Sequence, residues 1–311
     1  MQKISKFVEI VDVSARDGIQ NESRILPLDT KLELISRAIA AGARRLEVTS
    51  FVNPARVPQM ADAAELAAEL AARQPRDPQH QRARFIGLAL NAKGFERAAQ
   101  AGLDEVNFVT VASDSFCRRN QGTDTFDNLR VWAEVAQAAR GRIAAGITIG
   151  AAFGCPFEGE VPLDRLLKVV EAAMAHDPFE LALADTIGVA TPHDVARRVG
   201  AVRAAFPDVR LRLHLHNTRN TGIANAWAGL MAGVDCFDAA LGGVGGCPFA
   251  PRATGNIAIE DLVYMFERAG IATGYDLDTA IQAAAWLEAE LGHPVPGMVM
   301  KAGGFPAPKA A

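Results

Sequence analysis

No stretch of the 311 residues holds the roughly 20 consecutive apolar residues that a bilayer-spanning helix needs, because charges or glycines interrupt every apolar run. An excess of basic charge is also missing. The 32 Lys and Arg stand against 36 Asp and Glu, a formal net charge of -4, so no basic stripe is available to neutralise nucleic-acid phosphates. Nucleic acid is therefore excluded as an expected partner. Cysteine is scarce: Cys117, Cys155, Cys236 and Cys247 are scattered without CxxC spacing, which excludes a disulfide framework and a structural zinc cage and fits a reducing compartment. The N-terminal stretch MQKISKFVEIVDVSARDG passes almost at once into a strand-like alternation and leaves no room for the apolar region of a signal peptide. These absences predict a soluble, cytoplasmic protein with no membrane partner.

What the chain does have is material for a large core, since half of its residues are apolar. Short β-branched runs alternate with longer Ala/Leu/Glu/Arg-rich segments, as parallel strands joined by crossover helices require. Eight strands are expected near Val8 to Val13, Arg45 to Thr49, Arg84 to Leu90, Glu105 to Thr110, Ala145 to Ala152, Leu181 to Ala184, Val209 to Leu215 and Val234 to Ala239. Helical segments follow each one. The clearest is LDTKLELISRAIAAG, with Asp29 as its expected N-cap and Gly42 as its stop; ADAAELAAELAAR behaves similarly. The polar stretch from Gln74 to Gln81 reads as a loop inside one domain, because the alternation continues across it. A doubly wound open sheet competes, but eight units without a phosphate-binding GxGxxG after the first strand favour a closed (β/α)8 TIM barrel, an α/β fold. The whole chain, 1–311, is expected to form this one domain, with a C-terminal helix and short tail from about residue 277.

Catalytic side chains of such a barrel sit at the C-terminal strand ends and in the loops beyond. The polar residues expected there are Arg16, Asp17, Glu47, Asn91, Ser113, Cys155, Asp185, His214, His216, Cys247 and Asn256. Strand residues two apart share a face, so His214 and His216 can both point inward and chelate one ion while Leu213 and Leu215 pack outward. Two separately satisfied histidines are the alternative. Asp17 is placed to bind a cation, or equally to form a local salt bridge with Arg16. Asn256 could complete an Asp/His/His set, though a position just before a helical segment also suits an N-cap. Such mixed oxygen and nitrogen ligation suits magnesium or manganese, and less selectively zinc. The glycines around Val244, in LGGVGGCPFAPRATGN, allow a backbone folded over a ligand with the Cys247 thiol carried inward; a flexible loop with a buried cysteine is the alternative.

Taken together, ARDGIQNE, LEVTSFVNPARVPQM, ADTIGVATP, HLHNTRN and LGGVGGCPFAPRATGNIAIEDLVYM resemble the 3-hydroxy-3-methylglutaryl-CoA lyase family, in order and spacing, from about Val8 to about Leu277. The resemblance implies that Asp17, His214, His216 and Asn256 ligate a divalent cation. It implies that Arg16 stabilises an enolate oxygen, that Glu47 and Asp185 are required acidic residues, and that Cys247 takes part in proton transfer. Arg16, Asn91 and Ser113 are the expected substrate contacts. The implied reaction is retro-Claisen cleavage of a tertiary 3-hydroxyacyl-CoA, with 3-hydroxy-3-methylglutaryl-CoA giving acetyl-CoA and acetoacetate, in an enzyme expected to be a homodimer.

The chain departs from the family pattern after the second histidine, where Asn217 and Asn220 replace an aspartate and a glycine. With Arg219 between them, these residues are expected to favour a differently charged or longer acyl group. Another 3-hydroxyacyl-CoA substrate therefore stays open. So does a Claisen-condensing acyltransferase of the isopropylmalate or homocitrate synthase kind, against which the glycine-cysteine loop speaks.

Overall fold

The structure is a computed structural model in which residues 5–73, 82–246 and 255–305 are described. The Gln74 to Gln81 loop and Cys247 lie outside the described residues. Eight parallel strands close into a barrel in simple sequential order: β1 (Glu9–Asp12), β2 (Arg45–Ser50), β3 (Arg84–Ala89), β4 (Glu105–Val111), β5 (Ala144–Gly150), β6 (Leu181–Asp185), β7 (Leu211–Leu215) and β8 (Cys236–Ala239), with β8 pairing back onto β1. The expected (β/α)8 architecture is thus present. Helices α1 (Leu28–Ala41), α2 (Ala63–Arg73), α3 (Ala92–Gln100), α4 (Asp114–Gln121), α5 (Thr125–Ala139), α6 (Leu163–Met174), α7 (Pro192–Ala205) and α8 (Gly222–Met231) join the strands. After β8 come α9 (Ile259–Arg268), α10 (Leu277–Leu291) and the short α11 (Val299–Ala302). No helix among the described residues is long and apolar enough to cross a membrane.

The largest differences from the expected strand extents, two residues each, are at the starts of β7 and β8 and at the end of β5. Pairing in β7 begins at Leu211 rather than Val209, because the Val209 amide turns back onto the Phe206 carbonyl. Likewise β8 begins at Cys236, since the Val234 amide closes α8 by bonding the Gly229 carbonyl. Asp29 is not the N-cap of α1: Pro27 holds that position with φ -60°, and Asp29 sits in the first turn, where its charge complements the helix dipole. Gly42 does end the helix, at φ +121°, and its amide returns to the last carbonyls.

The N-terminal end of the barrel is filled by charge. Arg45 binds Glu105 and Glu180, and Arg212 lies 2.9 Å from Glu180 and 3.2 Å from Asp238, all five residues being buried. Arg210 adds a third guanidinium on Glu180, and Arg45, Arg84 and Arg210 gather around the Phe179 ring. Ions this buried are tolerable only when each charge is matched, as here. The cleft described below opens at the other end.

Candidate active site

Beyond β1 the chain makes one tight turn, Ser14–Gly18, that buries Arg16 and Asp17. The Asp12 carboxylate accepts from the Ser14 amide at 2.7 Å, and Ser14 Oγ accepts from the Leu241 amide at 2.8 Å, so the turn is pinned to the loop after β8. Its orientation aims both charged side chains into the barrel mouth. The Arg16 guanidinium donates through Nε to Glu47 and through Nη1 to Asp17 at 2.5 Å. One cation between two carboxylates leaves a net negative charge, which favours a second cation nearby.

On β7 the alternation works as expected. Leu213 and Leu215 face outward into the helices, and the Leu213 methyl leaves so little room that a Cβ on Gly229 of α8 would lie 2.5 Å from it. His214 and His216 face inward with their Nε2 atoms 3.1 Å apart. Asp17 Oδ2 lies 3.8 Å from the first Nε2 and 3.5 Å from the second. Asn256, paired to His216 in an isolated bridge, brings its amide to Asp17 Oδ2 at 2.8 Å and to the Val244 carbonyl at 3.0 Å. The N-cap alternative for Asn256 does not hold, because Ala258 occupies that position before α9.

Several observations show that these residues suit a metal ion. His214 Nδ1 lies 3.0 Å from Asp238 Oδ2, which fixes the proton on Nδ1 and leaves the Nε2 lone pair facing His216. Two imidazole nitrogens each about 2.1 Å from one ion lie about 3.0 Å apart when the angle is square, close to the observed separation. Asn256 Oδ1 is buried without a hydrogen-bond partner, and turning the amide over would bring it into the donor set. Asp17, His214 and His216 therefore form a group able to hold a divalent metal ion, with Asn256 beside it. A second group, Glu9, Glu180 and Cys236, lies in the ion network at the N-terminal end, where Arg45 and Arg210 already engage its carboxylates.

Electrostatics agree with this division. Burial works to raise the Asp17 pKa, but Arg16 and the two histidines overcome it and hold the carboxyl well below its usual range. Burial lowers the His214 pKa, yet the bond to Asp238 and the charge of Asp17 leave it raised. Desolvation raises Asp185, against two backbone amides that lower it.

The other expected site residues separate into groups. Arg16, Asp17, His214, His216 and Asn91 line a cleft of about 740 Å³ at the barrel mouth, and Glu47 stands just behind Arg16 with no exposure. Asn91 also caps α3, its amide oxygen accepting from the Gly94 amide at 2.8 Å. Ser113 does not reach the cleft lining; its hydroxyl donates to Cys155 Sγ at 2.9 Å. Both Asp185 oxygens accept backbone amides, from Val189 and Ala190, so its carboxylate shapes the turn after β6. Arg219 donates to the Ile187 and Gly188 carbonyls and Asn217 accepts from the Gly222 amide, both outside the cleft lining. These contacts engage Arg219 Nη1 with the loop after β6 and Asn217 Oδ1 with the start of α8.

Among the cleft residues not expected from the sequence are three on strands: Asn107 on β4, Thr148 on β5 and Asp238 on β8. Each was visible in principle, since period-two alternation puts Asn107 with Glu105, Thr148 with Gly150, and Asp238 with Cys236 on the inner face. At the rim, Arg56 and Arg119 supply exposed positive charge that sequence motifs did not identify.

Comparisons with known proteins match this geometry. The HMGL-like family model matches residues 7–287. The chain is 48% identical over 304 residues to (R)-citramalyl-CoA lyase of Chloroflexus aurantiacus, covering 95% of each. It is 34% identical over 292 residues to hydroxymethylglutaryl-CoA lyase of Bacillus subtilis, covering 94% of this chain and 95% of that one. Among solved structures, an HMG-CoA lyase of Acinetobacter baumannii in complex with coenzyme A and 3-methylmalate superimposes with a TM-score of 0.90 at 37% identity, covering 99% of this chain and 100% of the other.

Proposed function

Since the chain belongs to the HMGL-like family and is an acyl-CoA carbon–carbon lyase, we propose that it cleaves a short 3-hydroxyacyl-CoA whose tertiary carbon also carries a carboxylate arm, releasing acetyl-CoA and a small keto acid by a retro-Claisen reaction. The convergence of Asp17, His214, His216 and Asn256 beside Arg16 carries this reading. The two substrates in view differ by one methylene. Citramalyl-CoA has the carboxylate directly on the tertiary carbon and yields pyruvate; 3-hydroxy-3-methylglutaryl-CoA has one carbon between and yields acetoacetate. Higher identity to the citramalyl-CoA lyase favours the first, and the likeness to the Bacillus and Acinetobacter enzymes supports the second.

Asp17, His214, His216 and Asn256 would hold a divalent cation, magnesium or manganese by its mixed donors. When bound, it supplies Lewis-acid polarisation of the substrate hydroxyl. Asp238 keeps His214 in the tautomer that offers Nε2. As a base takes the hydroxyl proton and the hydroxyl becomes a ketone, the electrons of the broken C–C bond pass to the acetyl-CoA enolate, and the fixed Arg16 guanidinium stabilises that oxygen. Glu47 holds Arg16 in place, and Asp185 orders the turn beside His216. Cys247 is assigned the proton transfer to the enolate carbon on the resemblance alone. Arg56 and Arg119 at the rim suit the phosphates of coenzyme A.

The test is to incubate the purified protein with each thioester, with added Mn²⁺ and with chelator, and to identify the keto acid by coupled reduction. Pyruvate from citramalyl-CoA only with metal is the expected result. Acetoacetate formation instead assigns the second substrate, and no keto acid from either overturns the reading.

A further inference from the structure

A continuous hydrogen-bonded row crosses the barrel along the floor of the cleft. Thr148 Oγ on β5 donates to Asn107 Oδ1 on β4 at 3.0 Å. The Asn107 amide nitrogen donates to Glu47 Oε2 on β2 at 2.8 Å. The other Glu47 oxygen accepts from Arg16 Nε, and Arg16 Nη1 reaches Asp17. All five residues are buried. The proton positions follow from the partners. An ionised Glu47 can only accept, so Asn107 must turn its nitrogen toward it; the Asn107 oxygen then faces Thr148, whose hydroxyl must donate.

From this geometry we propose that Thr148 and Asn107 are positioning residues for the lyase reaction: together they fix the Glu47 carboxylate, and through it the aim of the Arg16 guanidinium at the cleft. The inference rests on the reading of this site as a lyase centre. Without the Thr148 hydroxyl the Asn107 amide loses the contact that sets its orientation, and its oxygen can rotate toward Glu47 and repel it. With Asn107 removed, one Glu47 oxygen is buried without a partner, and the carboxylate is free to leave the Arg16 Nε. A guanidinium aimed a fraction of an ångström wrong still meets a ground-state thioester. It serves the developing enolate less well, so the effect falls on kcat rather than on KM.

The deciding set is Thr148→Val, Thr148→Ser and Asn107→Leu in the full chain, each checked for native folding by circular dichroism. Three quantities are read: kcat and KM on the thioester cleaved by the native protein, Mn²⁺ affinity, and the NMR signal of the Arg16 Nε–H. Thr148→Val and Asn107→Leu are expected to lower kcat by about tenfold to a hundredfold, as loss of a hydrogen bond to a charged group does, with KM and Mn²⁺ affinity within about threefold. Thr148→Ser, which keeps the hydroxyl, is expected to restore kcat. The Nε–H signal should stay sharp in the native protein and Thr148→Ser, and broaden or shift in the other two. Equal losses in Thr148→Val and Thr148→Ser, or a loss confined to KM or metal affinity, overturn the proposal. If the native protein cleaves no thioester, the reading of function fails; the Nε–H signal still decides whether Thr148 and Asn107 position Arg16.

Discussion

At the residue scale, the site depends on what each side chain leaves for its neighbour. His214 offers Nε2 because Asp238 engages Nδ1, at 3.0 Å. Replacing Asp238 by asparagine should weaken Mn²⁺ binding about tenfold or more, and His214→Ala with His216→Ala should abolish it, both read by calorimetry. Metal binding should also weaken as pH falls. The raised His214 pKa means that a proton occupies the ligand nitrogen over a wider acidic range, so affinity measured below the ordinary histidine range should drop relative to neutral pH. Glu260 shows the opposite kind of residue. It is fully buried near the glycine-rich loop, one oxygen accepting from the Gly242 amide and the other unpartnered, and burial pushes its pKa up to about 8. In the folded chain it keeps its proton to about pH 8, whereas the unfolded chain loses it above about 4.5. Folding stability contributed by this group therefore falls as pH rises through that window. Glu260→Gln should match the native protein near pH 4.5 and exceed it by several kcal/mol, on the order of 3 to 5, at pH 8.5 in urea melts.

At the scale of elements, strand periodicity made the barrel and half the site legible, and tertiary partners decided the rest. Alternation in RLRLHLH was enough to put both histidines inside, and the Asp17 position after β1 was readable from barrel rules. Ser113 stands outside the cleft lining with its hydroxyl on Cys155 Sγ, a contact between the segments after β4 and β5 that spacing along the chain cannot reveal. Arg219 is similar: a charge in the loop after His216 reads as a candidate substrate contact, and the two carbonyls that its Nη1 meets come from the loop after β6. Helix ends tell the same story. Gly42 was recognisable as a stop, but why only glycine fits depends on a distant segment: at φ +121° a Cβ would collide with the Gly274 carbonyl and lie 2.7 Å from Tyr275 Cα. Gly42→Ala should therefore destabilise the fold by about 2 to 4 kcal/mol, combining positive-φ strain with backbone overlap, read as a lowered urea midpoint at unchanged slope.

At the scale of the whole molecule, the barrel is an asymmetric charge assembly, with a buried ion network at one end and the cleft holding Arg16, Asp17 and the two histidines at the other. Arg212 and Asp238 link the two ends, since Arg212 lies 3.2 Å from Asp238 and Asp238 in turn orders His214. The sequence shows the charged residues but not this division, because inward-facing Arg45, Glu105, Glu180 and Arg212 are far apart along the chain and meet only on closure. Closure also makes the network vulnerable to acid. Burial alone would raise Glu180, but Arg212, Arg45 and Arg210 overcome it and hold the carboxyl down at about 2, against 4.5 for a free one. The stabilisation this represents, about 3 kcal/mol, is present above about pH 4.5 and is lost as pH falls toward 2. Glu180→Gln removes that pH dependence but leaves three guanidiniums short of charge, so it should be markedly less stable at pH 7 and lose less on acidification. Urea unfolding at a series of pH values from 7 to 3 measures both curves; parallel curves for variant and native protein would show that the network does not hold the barrel floor together.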